Sequence, residues 1–97
     1  MPSKDILEKA LEIIQGDRSN THGSMVECHE NIARLWNAYL YNKAHLKAPD
    51  VANMMELLKI ARRKLGALNS DDYVDGAGYA AVAFECAEDA KRGEPGI

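Results

Sequence analysis

Between residues 59 and 79 the chain gathers its most chemically capable groups. A helical segment carrying Lys59 and Arg62 runs into a short break, Gly66 to Ser70. The next segment opens Asp71-Asp72-Tyr73-Val74-Asp75 and continues Gly76-Ala77-Gly78-Tyr79. At 100° per residue, Asp72, Asp75 and Tyr79 fall on one stripe about 60° wide. Two carboxylates and a phenol therefore share a helix face, close in sequence to two cations. Oxygen donors of this kind suit a divalent metal, and the cations suit a phosphate. A helix cap with salt bridges would use the same residues.

Asp71 and Asp72 follow a Ser70 cap, where acidic side chains meet the positive end of the helix dipole. Asp75 lies more than a turn further in, before a stretch that reads as buried, so it needs a partner or a role. On the preceding helix, Val51, Met54, Leu58, Ala61 and Leu65 form the expected core stripe. Arg62 stands about 55° from the centre of that stripe and Arg63 about 155° away. Arg62 is thus expected to be half-covered and paired with Asp75, with Lys59 on the same edge and Arg63 in solvent. Glu56 reads as a solvent-side salt-bridge residue. Glu27 and Glu30 have an ExxE spacing, but Ser24 and Glu27 form a capping box and Glu30 can pair with Arg34. Arg18 and His22, in the polar segment Gly16 to Gly23, could meet an anion. His29 reads as a satisfied histidine at the edge of an apolar stripe. Trp36 reads as core, with a ring that could stack on a base. No Ser/His/Asp set, phosphate-binding glycine loop or HExxH occurs.

Four helices are needed to position these groups, since four stretches carry helical period. They are expected at about residues 3–15, 24–42, 49–65 and 70–91, with a frayed tail at 92–97. Ser3 is the expected first N-cap, with Ile6, Leu7, Ala10, Leu11 and Ile14 as the apolar stripe. The second helix presents Met25, Ile32, Leu35, Trp36 and Tyr39, with Cys28 alongside. Pro49 and Asp50 open the third, and Gly66 ends it. The fourth is uncharged from Gly78 to Phe84 and apolar all round. That places it in the bundle centre or in a subunit interface, with Tyr79, Val82, Ala83 and Cys86 as the stripe offered to another copy.

Ninety-seven residues, 46% apolar and 28% charged, fit one folded helical domain, residues 1–97. A chain this short has a modest core, which favours oligomerisation. The net charge of −3 argues against nucleic acid as a main partner. No apolar run reaches membrane-spanning length, and the N-terminus lacks the features of a signal peptide, so a cytoplasmic location is expected. Cys28 and Cys86 sit in helical patterns and read as free thiols.

The segments Ile6-Leu7 through Gly16-Asp17-Arg18, Glu30 to Trp36, Asp50 to Met55, Leu58 to Arg62 and Asp72 to Ala81 resemble a family of small phage and prophage proteins of uncharacterised function. The likeness covers about residues 5–88. The chain is more distantly similar to the all-α, MazG-like nucleoside triphosphate pyrophosphohydrolases. In that superfamily an ExxE on one helix and an ExxD on a later one bind magnesium. Asp72-x-x-Asp75 looks like the later element, and Asn53-Met54-Met55-Glu56 stands for the earlier one with an amide in place of one carboxylate. The resemblance implies a compact dimeric or tetrameric four-helix bundle acting on nucleotides in the host cytoplasm. Asp72, Asp75, Glu56 and Asn53 would hold magnesium, with Asp75, Asp72 and Glu56 catalytic. Lys59, Arg62 and Arg18 would meet phosphates, and His22, Trp36 and Tyr79 would complete the ligand site. A degenerate hydrolase, a non-catalytic nucleotide-binding protein and a partner-binding phage accessory protein remain as alternatives.

Overall fold

The computed structural model describes residues 1–16 and 24–92. It is all-helical, as expected: α1 (Ser3–Gln15), α2 (Met25–Tyr39), α3 (Ala48–Arg63) and α4 (Ser70–Arg92), with no strand among the described residues. The central place of α4 is also borne out, since it packs against each of the other three helices. Its most extensive partner is α3, which lies antiparallel to it across the break at 64–69.

Local chemistry sets the helix ends, in places one residue or more from the expected ones. Pro2, not Ser3, is the residue before α1, and no side chain caps that end. Ser24 caps α2 as expected, its Oγ accepting the Glu27 N–H at 3.0 Å. That helix stops three residues short of Asn42, because Tyr41 and Asn42 turn to φ of 57° and 58°. Asn37 then braces the connection, donating to the Leu46 carbonyl and accepting from the Leu46 N–H, both at 2.9 Å. At α3 the Asp50 carboxylate accepts the Lys47 N–H at 2.8 Å, with Pro49 in the first turn. Gly66, at φ 77°, marks the turn after α3. The α4 cap is Asn69, not Ser70: its Oδ1 accepts the Asp71 N–H at 3.0 Å.

The core is built from small side chains. Ala10, Ala33, Ala48, Val51, Ala52, Val74, Val82 and Cys86 are its buried hydrophobic members. Ala48 and Ala52 of α3 pack on Val82 and Cys86 of α4, with Met25 and Val26 of α2 alongside. The stripe expected to face another subunit is therefore occupied inside the chain, because small residues on both α3 and α4 let the two axes approach. The expected α3 stripe is also corrected. Only Val51 is buried, whereas Met54, Leu58, Ala61 and Leu65 are exposed, and the inner face carries Met55, Glu56, Lys59 and Arg63. Leu7 and Leu11 on α1 and Leu35 and Tyr39 on α2 are likewise exposed members of expected core stripes.

Both cysteines are free. Burial, with the nearby carboxylates of Glu85, Asp89 and Glu30 adding to it, pushes the Cys86 thiol from an ordinary 9.0 up to about 11. A thiol whose folded pKa is raised favours folding while it stays protonated. Its contribution is complete below pH 9 and is lost as pH rises through about 11. The difference is worth about 2–3 kcal/mol. Melting curves between pH 8 and 11 should show a steeper alkaline loss for wild type than for Cys86→Ala. Parallel pH profiles for the two proteins would show that the thiol is not linked to folding.

Candidate functional site

At the closed end of the α3–α4 hairpin, three cations from α3 meet two acids and a tyrosine from α4. Lys59 Nζ lies 3.1 Å from Asp75 Oδ2, with both side chains mostly covered. Arg62 Nε lies 3.8 Å from Asp72 Oδ1, and its side chain remains 62% exposed. Arg63 is the covered arginine. Its Nη2 donates to the Asp72 carbonyl at 3.4 Å, and its guanidinium carbon sits 4.4 Å from the centre of the Tyr73 ring. Its Nε is buried with no hydrogen-bond partner. The expected roles of Arg62 and Arg63 are thus exchanged, and Asp75 pairs with Lys59 and not with Arg62. The physical reason is that α3 turns its apolar stripe outward, which carries position 63 toward α4. Gly76 makes this possible, since a Cβ there would collide with Arg63 Nη2.

This charge register bears on a metal. Opposite Asp72 and Asp75, α3 presents Arg62 and Lys59. Asn53 and Glu56 lie further along α3, Asn53 about 9 Å of helix rise from Lys59. Asn53 is exposed and Glu56 half-buried. Among the described residues no three His, Cys, Asp or Glu side chains come together to hold a metal ion. The donor set does not fit magnesium within one described chain, because side-chain cations balance the two carboxylates. Glu27 and Glu30 are both exposed, and Arg34 donates to Asn31 Oδ1 at 2.9 Å instead of pairing with Glu30. Arg18 and His22 lie outside the described residues.

A cleft of about 420 Å³ opens between all four helices, adjacent to the hairpin end. Ile14 of α1, Ile32 and Trp36 of α2, Met55 of α3, and Val74 and Tyr79 of α4 supply much of its wall. Asp75 and His29 reach it as well. His29 is only 4% exposed. Its Nδ1 makes a 2.8 Å hydrogen bond with the Met25 carbonyl, which can only accept, so Nδ1 carries the proton. In the neutral ring Nε2 is then an acceptor, buried and with no protein partner. The ring meets Tyr79 edge-on, with centroids 6.2 Å apart. Three of the expected site residues, Trp36, Tyr79 and Asp75, are brought together here, while Asp72, Lys59 and Arg62 form the ionic layer beside them.

His29 is the group that sequence reasoning undervalued. A signal was present: it shares the inner face of α2 with Met25, Ile32 and Trp36, at spacings of four, three and seven. A histidine on a buried helix face can satisfy one ring nitrogen with the carbonyl four residues back, but the second must look elsewhere.

Residues 5–87 match the family described as Domain of unknown function DUF6378. The chain belongs to that family. It is similar to the Gene 55 protein of Mycobacterium phage D29, at 39% identity over 93 residues, covering 96% of this chain and 60% of that protein. It is also similar to the Gene 55 protein of Mycobacterium phage L5, at 48% identity over 77 residues, covering 79% of this chain and 49% of that one. The chain thus spans about half to three fifths of the length of these phage relatives. No solved structure matches it. The phage family expected from the sequence is borne out, and none of these matches is a MazG-like protein. No helix among the described residues is long and apolar enough to cross a membrane.

Replacing the two arginines in turn tests the hairpin register. Arg63→Ala removes the stacked and hydrogen-bonded guanidinium and should cost about 2 kcal/mol. Arg62→Ala, at an exposed and long ion pair, should cost less than about 1 kcal/mol. Gly76→Ala displaces the tip of the Arg63 side chain from its contacts while gaining helix propensity, so in wild type its net effect should stay within about 1 kcal/mol. In an Arg63→Ala background the same change should become neutral or stabilising by up to about 1 kcal/mol, as alanine is the better helix former. Denaturant melts of wild type and the four variants decide it. Additive effects of Arg63→Ala and Gly76→Ala would mean that the two sites do not touch.

Proposed function

We propose that this chain is a non-catalytic binding protein whose interhelical cleft takes a nucleobase or nucleoside. The observation that carries this reading is the buried His29, with a partnerless Nε2 at a cleft walled by Trp36 and Tyr79. The cleft volume falls within the range of about 300–1,000 Å³ usual for small-molecule sites, and apolar walls with a few polar groups are the usual composition. The polar groups select the ligand. Asp75 and, in the tautomer set by Met25, Nε2 of His29 both offer acceptors, so the ligand must bring N–H or O–H donors on a flat, mostly apolar body. Ring N–H and exocyclic amino groups of a nucleobase answer that description. A buried acceptor left unmade costs about 1–3 kcal/mol, which a donor on the ligand would recover.

Phosphates contribute little on this reading. Lys59 and Arg62 face Asp75 and Asp72, and Arg63 is engaged by the Asp72 carbonyl and the Tyr73 ring, so the cations near the cleft already have partners within the chain. Magnesium-dependent hydrolysis would require carboxylates that converge, and Lys59 and Arg62 stand in that place. The DUF6378 family and the phage relatives supply a phage setting, within which a nucleotide-pool or signal-sequestering role is the biological form of this proposal.

The test is a thermal-shift and calorimetry panel of nucleobases, nucleosides and nucleoside triphosphates, each with and without magnesium. Nucleosides should stabilise the protein with no dependence on the metal, and triphosphates should do no better. A ligand at 100 times its Kd gives about 2.7 kcal/mol of stabilisation. His29→Phe keeps an aromatic ring beside Tyr79 but removes both nitrogens, so it should abolish the ligand shift while leaving the unliganded protein folded. Failure of every base and nucleoside to bind at millimolar concentration would overturn the proposal. Magnesium-dependent release of pyrophosphate would replace it with the hydrolase.

A further inference from the structure

We infer that the outer face of α3 is the contact between two copies of this chain, paired antiparallel about a two-fold axis at Leu57. This inference stands apart from the ligand reading and uses none of the cleft residues.

Met54, Leu57, Leu58, Ala61 and Leu65 repeat at spacings of three and four, the period of a helix–helix seam. A seam of this kind ordinarily turns toward its own bundle. Here it turns away: Leu57 is 63% exposed and Leu65 79%. Glu56, Lys59 and Arg63 take the inner face toward α4. The Lys59–Asp75 pair at 3.1 Å and the fit of Arg63 against Gly76 hold α3 in that rotation. The helix cannot turn its apolar stripe inward without breaking both. The stripe is therefore left for something outside the chain.

Charge identifies that something as a second copy. By the 100° rule, Asp50 and Lys64, the residue just past α3 whose backbone is still right-handed helical, lie on the same outer face as Leu57, each two turns from it in opposite directions. A two-fold axis at Leu57 sets Asp50 of one copy opposite Lys64 of the other, and does so twice. Lys64 is exposed and has no ion-pair partner among the described residues. The Asp50 carboxylate gives one oxygen to the Lys47 N–H and keeps the other. The same axis sets Met54 near Ala61 of the second copy, a large side chain against a small one. The antiparallel arrangement also places the positive end of each α3 dipole beside the negative end of its partner. A parallel pair would instead stack Lys64 on Lys64 and Asp50 on Asp50. A seam that is its own complement under a two-fold rotation is what a closed dimer requires.

The experiment is light scattering on the full chain across 1–200 μM, with three variants. Wild type should have twice the mass of the monomer at the upper concentrations. Leu57→Glu should give monomers with unchanged helical circular dichroism, because that side chain already faces solvent within one chain. Leu57→Cys, at the two-fold axis, should oxidise to a covalent dimer in which wild type and Lys64→Cys do not participate to the same extent. Lys64→Glu should weaken the dimer tenfold or more, and adding Asp50→Lys should restore it. A monomeric wild type at 200 μM would overturn the proposal, and the extra length of the phage relatives would then be the candidate cover. A dimer indifferent to Leu57→Glu, or one that Leu57→Cys does not link, would overturn it equally by placing the contact elsewhere.

Discussion

The rotation of α3 about its own axis governs the rest of the molecule, and three contacts at one end of the hairpin set it. Lys59 reaches Asp75, Arg62 lies near Asp72, and Arg63 lies flat over Tyr73 with its Nη2 against Gly76 and the Asp72 carbonyl. Together they join the basic last turn of α3 to the acidic first turn of α4. Each helix dipole favours the charges its own end carries, and the two ends favour each other. A mostly covered pair such as Lys59–Asp75 specifies geometry better than it adds stability, because the loss of hydration offsets much of the attraction. The main consequence of the three contacts is directional. With polar groups turned inward at this end, the apolar stripe of α3 is turned out.

That consequence explains why the helices were legible in the sequence and their faces only in part. Ser24, Pro49, Gly66 and the long uncharged run of α4 announced four helices and the central one. The 100° rule then assigned the α3 stripe to the chain's own core, which held for Val51, and offered Val82 and Cys86 of α4 to another copy, although both are buried within the chain. It failed for Met54, Leu58 and Leu65, since periodicity shows that a face is apolar without showing what covers it. The exchange of Arg62 for Arg63 follows from the same error, as one wrong rotation moves every residue of the helix. The helix ends missed by a residue or more for a local reason. Asn69 competes with Ser70 for the cap, and Tyr41 and Asn42 take a left-handed backbone that their types allow but do not demand.

The site was legible in its acids and not in its histidine. Asp75 stood out because neither cap nor dipole accounted for it, and it does lie beside a cleft and in an ion pair. Its neighbours in that cleft come from three other helices, so no spacing along the chain could have shown Ile14, His29 and Met55 together. His29 matters because a helix offers a ring only one acceptor, the carbonyl one turn back, and Met25 supplies it. What remains is an acceptor in an apolar wall, where an unmet hydrogen bond has its greatest effect. The same reasoning lowers the weight of magnesium. A metal needs several oxygens without cations among them, and α3 places lysine and arginine where such oxygens would be required.

Size links the cleft to the exposed stripe. The buried hydrophobic side chains are alanines, valines and a cysteine, and the largest with almost no exposed surface are Val51 and Cys86. Each such residue removes less apolar surface from water than a buried leucine would, at about 25 cal/mol per Å². The larger apolar groups sit in two other places: around the cleft, as Ile32, Trp36 and Met55, and on the outside, as Leu57, Leu58 and Leu65. Folding the single chain therefore leaves its most hydrophobic side chains half-used. Small helical domains hold only a narrow margin of stability, so apolar surface left in water weighs heavily in one of them. A ligand filling the cleft and a surface covering α3 would each bury what the chain alone does not, and both would favour the folded state by mass action. The two effects are separable because His29 and Leu57 lie on different helices and line different surfaces. A substitution at either one reports on its own surface without disturbing the hairpin that positions both.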